Sequence, residues 1–292
     1  SNSVYANITS FGSTFAPLGG PSLNVTNCTD IDMPGVYTLY WNLANVVPNK
    51  CINISSSDVV FDGNGKSVYR DSFSSPQYGV WANNGTTVLT NVTVKNLNIT
   101  DFTVANIGFS YVNSSSITNN TMPNPNGPGG ISIENSNYNN ISNNTQKIGR
   151  IYLSINDNNN TVNNNTLNAS YSPAIFVGSG SSNNSITNNN ITNYVDIGIH
   201  IYGQNGYTTA NNRITNNTIY KQSGGGGMYI GLYVDSELTN TSVTNNTIGL
   251  GVTGVRVNSP QYGYATFANN TIYSHSSGDF VGQRTGYSST HI

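Results

Sequence analysis

The chain carries ten Asp and two Glu among its 292 residues. Carboxylates are the groups best suited to acid–base work on a glycosidic bond, and that reaction takes two of them about 5–10 Å apart. No two acids here are adjacent, and the closest pairs are two residues apart: Asp30 with Asp32, and Asp235 with Glu237. On a continuing strand, Asp235 and Glu237 would share one face about 6–7 Å apart, which makes them the best catalytic candidates. Two solvated acids at a corner are the preferred reading. Asp157 and Asp196 have no evident partner, and His200, His275 and His291 are scattered. No catalytic residue and no metal ligand is assigned, and the chain reads as a non-enzyme. The only non-protein group expected is covalent N-linked glycan.

Repetition shows what must position such residues. An aliphatic residue, a polar residue and then Asn-Asn recur at Ile117, Ile141, Val162, Ile186, Ile214 and Val243, and Phe267 closes the series. Val94-Lys95-Asn96 is a degenerate first member, and the steps from Val94 are 23, 24, 21, 24, 28, 29 and 24 residues. A second phrase precedes each unit. It starts at Val80, Ile107, Ile131, Ile151, Ile175, Ile199, Leu232 and Val255, with an apolar residue again two positions later. That alternation marks a strand with one buried face. Asn and Gly between the phrases tolerate the left-handed backbone that sharp corners need. Short strands repeating without helices read as an all-β parallel β-helix, a solenoid of about eight or nine rungs. Stacked Asn side chains can ladder along a corner. With only 11 Leu, a leucine-rich repeat is excluded. The boundaries are an extended N-terminal segment over 1–26, the β-helix over 27–275 and a tail over 276–292. A 33-residue step from Ile199 to Leu232 marks an insertion, and Lys221–Gly227 is its candidate loop.

Within the second phrase, the position between two buried residues must point outward. It reads Trp81, Gly108, Ser132, Tyr152, Phe176, His200, Tyr233 and Arg256. Exposed aromatics in a row stack on sugar rings or bury against protein. The covering protein would be another subunit or the 221–227 loop. Glu134 and Asp235 share the next outward column, but four strand steps part them by about 19 Å, too far for a two-carboxylate mechanism.

Charged residues are 8% of the chain and the net charge is −2, which excludes electrostatic nucleic-acid binding. No run of 18 apolar residues suggests a membrane span. The sequence starts at Ser1 without a leader-like apolar run, and reads as a processed, mature form. It holds 51 Asn and 20 Asn-x-Ser/Thr sequons, more than composition alone gives, which points to secretion and glycosylation. Candidate sites are Asn7, Asn24, Asn53, Asn84, Asn91, Asn98, Asn113, Asn168 and Asn240. Sequons at Asn119, Asn143, Asn164, Asn216, Asn245 and Asn269 recur at one corner about 5 Å apart, so partial use is expected there and fuller use near ends and loops. Cys28 and Cys51 most simply form one disulfide, and two buried free thiols are the alternative.

Several phrases in order resemble a known family: Cys28-Thr29-Asp30, Pro34-Gly35-Val36-Tyr37-Thr38-Leu39, Cys51-Ile52-Asn53-Ile54, Asp62-Gly63-Asn64-Gly65, Tyr78-Gly79-Val80 and Asn91-Val92-Thr93-Val94-Lys95-Asn96-Leu97. They look like the right-handed parallel β-helix repeat proteins of archaeal cell surfaces, related in fold to the NosD and pectate-lyase groups. The resemblance covers about 27–275 and specifies fold far more strongly than function. It implies a right-handed coil and a Cys28–Cys51 staple from the leading segment to the first rung. It also makes Asp62-Gly63-Asn64-Gly65 the first corner, where turn chemistry is preferred to calcium binding.

A β-helix needs caps at its exposed strand edges, and neither end of this sequence reads as one. The sequence therefore favours a secreted, glycosylated structural subunit of a filament, sheath or surface layer. Copies would join head to tail or by donation of the N-terminal strand. The expected partners are other copies of the chain and cell-surface glycans. The alternative is a carbohydrate-active β-helix that binds or cleaves acidic polysaccharide.

Overall fold

The computed structural model describes residues 22–44, 49–70, 77–123, 129–168, 173–203, 207–221, 230–235, 238–258, 265–277 and 280–283. Each coil of the chain runs through three sheets in turn. In one coil, Ala105–Ser110 lies in the front sheet, Ser116–Thr118 in the side sheet and Thr121–Met122 in the back sheet, before Ile131–Glu134 rejoins the front. The front and side sheets have eleven strands each and the back sheet has nine, all paired in parallel. The architecture is the all-β parallel solenoid that the repeats imply, with nine coils passing through all three sheets. The coil also reaches past the expected 27–275 boundaries. Ser22–Val25 is the first side strand and Phe280–Gln283 the last front strand. Neither carries the recurring Asn-Asn phrase, so pattern alone left them outside.

The phrase anchors meet in register. Ile107, Ile131, Ile151, Ile175 and Ile199 stack on one front column, and Val94, Ile117, Ile141, Val162, Ile186, Ile214 and Val243 on the side sheet. All of these are buried to within 1% of full burial. Each such Ile or Val contributes about 1.5–3 kcal/mol. The back column runs Met122, Gln146, Leu167, Ile191, Ile219, Ile248 and Ile272. Gln146 is its polar exception: it is buried, and its amide has no hydrogen-bond partner among the described residues.

The corners are held by asparagine. From side to back sheet, Asn120, Asn144, Asn165, Asn189, Asn217, Asn246 and Asn270 form one ladder. The backbone N–H and Nδ2 of Asn144 both donate to Asn165 Oδ1 at 3.0 Å, and the same links join each later pair. Each amide also donates to a backbone carbonyl of the preceding coil, as Asn165 does to Ile141 at 2.9 Å. A second ladder, Asn139, Asn160, Asn184 and Asn212, runs from front to side sheet: each backbone N–H donates to the next Asn Oδ1, and each Nδ2 donates only to a backbone carbonyl of the preceding coil. Cys28 and Cys51 form the disulfide that ties the first two front strands together, with Thr29 opposite Ile52. Asp62 does turn work: its Oδ1 accepts from the Asn64 N–H at 2.8 Å and Asn96 Nδ2 at 3.1 Å, and its Oδ2 faces Lys95 Nζ at 3.3 Å.

Candidate binding face on the front sheet

Parallel register puts the outward residues of successive front strands side by side, one strand spacing apart. Asp30, Asn53, Trp81, Gly108, Ser132, Tyr152, Phe176, His200, Tyr233, Arg256 and Val281 are register partners along one column. The residues of the expected outward column therefore stand in register on successive front strands. The side chain of Tyr233 lies outside the described residues, as does the 222–227 part of the stretch expected to cover this face.

The aromatics form two groups. In the first, Tyr78 packs on Trp81 with centroids 4.1 Å apart, and Lys50 Nζ lies 5.6 Å from the Trp81 ring. The indole leans over Gly108, where a Cβ would come within 2.6 Å of Cε3, so only glycine leaves room for it. In the second group, Tyr152 and Phe176 stack nearly parallel, 9° apart with centroids 4.5 Å apart. His200 meets Phe176 edge-on at 5.3 Å, and Tyr202 lies 6.1 Å from Phe176. The Arg150 guanidinium sits 4.5 Å over Tyr152, a cation–π contact. Trp81, Tyr152, Phe176, His200, Tyr202 and Arg150 are all half-buried. The gap between the groups is three strand steps from Trp81 to Tyr152, about 14 Å, with Gly108 lying under the Trp81 indole and Ser132 beyond it.

Glu134 is exposed at the edge of this gap, in the second outward column beside Ser110. Burial raises the Tyr78 hydroxyl above its ordinary pKa, and the charge of Glu134 adds to the effect. Behind the face lies Asp157, fully buried, with Oδ1 accepting the Ser136 N–H at 2.8 Å. It continues a hydroxyl column in which Ser136 Oγ accepts from the Val112 N–H and Ser181 Oγ from the Asp157 N–H. Its Oδ2 has no hydrogen-bond partner among the described residues. Desolvation pushes this carboxyl up to about 7, against the lowering by the Ser136 and Ser154 N–H groups, and Glu134 adds a smaller push. Asp157 is sealed away from any ligand, so its role is in the corner.

Among the described residues the exposed carboxylates do not converge, and Asp157, the acid that feels Glu134, is buried. Asp30 precedes the coil of Glu134 by four strand steps, about 19 Å. The Asp235 side chain and Glu237 lie outside the described residues, and Asp196 is exposed at the approach to a front strand. No group of three metal-ligating side chains occurs among the described residues. The sequence reading missed Tyr78, Tyr202, Lys50 and Arg150. Tyr202 was legible, because period two places it outward two residues after His200. Lys50 opens its strand and Arg150 precedes its own, where alternation gives no direction.

The family model for the right handed beta helix region matches residues 57–214, more than half of the chain. The chain belongs to this family. Among solved structures it is similar to the periplasmic alginate epimerase AlgG, with 14% identity, a TM-score of 0.59, and coverage of 87% of this chain and 69% of the epimerase. Endopolygalacturonase I from Stereum purpureum, solved with two galacturonate molecules, is 15% identical with a TM-score of 0.53, and coverage is 91% and 93%. The tailspike of the E. coli bacteriophage HK620 is 9% identical with a TM-score of 0.63, and 92% of this chain spans 58% of the tailspike. At these identities the likeness is one of fold. No curated protein sequence matches the chain. No helix among the described residues is long and apolar enough to cross a membrane.

Proposed function

We propose that this family member is a carbohydrate-binding protein that works outside the cytosol and holds an extended polysaccharide along its front sheet. The observation that carries the reading is the stack of Tyr152 on Phe176, continued by His200 and Tyr202 and half-open to solvent. Pyranose rings are flat and apolar on one face, and they pack on such platforms. A chain lying along the coil axis would stack on the Tyr152–Phe176 group and on Trp81, and pass its polar groups over Ser132. Lys50 and Arg150 hold positive charge beside both platforms, which favours an acidic polysaccharide. Structural neighbours that act on or bind such polymers support the reading, and the Cys28–Cys51 disulfide suits an oxidising compartment.

Binding is preferred to cleavage because, of the exposed acids described on the front sheet, Asp30 and Glu134 stand too far apart to flank one bond. Self-assembly into a filament takes second place: the segment expected to donate a strand, 1–21, lies outside the described residues, and the described coil offers no feature that favours assembly. The test is a glycan array spanning neutral, uronic-acid and sulfated polysaccharides. The wild type is expected to bind an acidic member. The Tyr152→Ala/Phe176→Ala double variant, folded by circular dichroism, should bind at least about tenfold more weakly. Equal binding by both proteins, or none by the wild type, would overturn the proposal.

A further inference from the structure

The side-to-back corner repeats one three-residue unit, Asn-Asn-Thr, on six coils. Its first Asn is Asn119, Asn143, Asn164, Asn216, Asn245 or Asn269. Each is exposed with φ between 55° and 57°. The second Asn of each unit is the ladder residue, turned inward. The Thr opens a back strand with its side chain outward, as at Thr121, Thr145 and Thr166. The backbone of the exposed Asn is tied to the next coil, as Asn119 N–H is to Ser142 O at 3.2 Å. None of the six side-chain amides has a hydrogen-bond partner among the described residues.

Five other sequons differ. Nδ2 of Asn53 donates to Asp30 at 2.8 Å, that of Asn84 to Ser55 O at 3.0 Å, and that of Asn91 to Asp58 at 2.8 Å. Asn98 donates to Gly65 O at 3.1 Å and Asn240 to Asn211 at 2.9 Å. For these five sites the contacts run against the order expected from sequence, which favoured ends and loops over this corner; Asn24, also expected there, is exposed with no side-chain partner among the described residues. A glycan on a tied amide costs a hydrogen bond in the folded protein, and a glycan on the corner costs none.

We propose that the exposed asparagines of the side-to-back corner are N-glycosylated, so that glycans form a ridge along the coil. In the transfer, Nδ2 attacks the anomeric carbon of a polyprenyl-phosphate-linked oligosaccharide. The C–N bond forms, the anomeric C–O bond breaks, Nδ2 loses one proton, and the lipid phosphate leaves. The ridge lies on the corner opposite the front sheet, so it leaves the aromatic face open. The series has one gap. At Asn188 the third residue is Asn190, and Asn188 Nδ2 donates to Asn163 Oδ1 at 3.0 Å. The gap divides the sites into two groups of three. Neighbours within a group are about 4.8 Å apart, so no more than two of each three are expected to be filled on one molecule.

Glycopeptide mass spectrometry of the protein purified from its own organism tests this. Ridge peptides should show about fivefold higher occupancy than the five tied sequons, the ratio that one net hydrogen bond sets. An unmodified ridge, or tied sites filled equally, would overturn the proposal. The variant Asn190→Thr separates the free amide from mere sequence. It creates a sequon at Asn188, whose amide is tied, so occupancy there should match the tied set. Occupancy equal to the ridge would show that the freedom of the amide decides nothing.

Discussion

Along the side-to-back corner the same carboxamide returns on coil after coil from Asn120 to Asn270. Along the front sheet the outward position changes at every step, from Trp81 to Gly108, Ser132, Tyr152, Phe176 and His200. One register builds both stacks. The asparagine stack is buried and satisfies backbone donors and acceptors that the corner would otherwise strand, so any change of residue breaks a link. The aromatic stack faces water and satisfies nothing in the backbone, so its residues are free to vary with a ligand. Monotony in this solenoid marks structure, and variation marks function.

The largest effect should come from breaking the monotonous stack. Asn165→Ala strands the Asn144 N–H and Nδ2 and the Ile141 carbonyl. At about 1–3 kcal/mol for each orphaned group, the cost is on the order of 5 kcal/mol by urea unfolding. An alanine variant that loses less than about 1 kcal/mol would end the distinction between the two stacks.

Asp157 tests the same corner logic by pH. Its folded pKa, about 7, lies above the unfolded carboxylate value, so the folded state holds the proton more tightly. The neutral form's contribution is complete below about pH 4 and is lost as pH rises to about 7, up to about 4 kcal/mol. Asp157→Asn should remove that slope, read as the difference between the two proteins across pH 4–8.

Cys28→Ser should lower stability by about 3 kcal/mol, the value expected for a loop of 23 residues. Gln146→Leu should raise it by about 1–2 kcal/mol, because a buried amide without a partner gives way to the aliphatic residue its column repeats. Smallest in stability, at about 1 kcal/mol, should be Tyr152→Ala, whose effect belongs in polysaccharide binding.

The fold was legible because Ile, Val and Asn recur at fixed places, and parallel stacking turns recurrence into contact. One ladder was read from Asn119-Asn120 and its successors. The second was not, although Asn139-Asn140, Asn159-Asn160, Asn183-Asn184 and Asn211-Asn212 stand just before the same aliphatic residues. A repeat aligned on the residues after each anchor hides a pattern in the residues before it. At the candidate site, alternation pointed to Trp81, Tyr152, Phe176 and His200. It gave no sign that Gly108 makes room for an indole, since that depends on how a ring leans across a neighbouring strand. The pairing of Asp157 with Ser136 was equally invisible, because corner residues carry no periodicity.

In the asparagine ladder every carboxamide oxygen looks back along the chain, and the donors of each coil reach forward to the next. The ladder therefore has a direction, although parallel backbone pairing alone leaves little net dipole. Its two ends are chemically unlike. A cut after any coil leaves a backbone N–H, an Nδ2 and a backbone carbonyl unfilled on the upstream piece, and a carboxamide oxygen and its Nδ2 unfilled on the downstream piece. A coil added at the C-terminal end completes bonds already aimed at it. The molecule has a direction in which it is built, written in side chains rather than in the backbone.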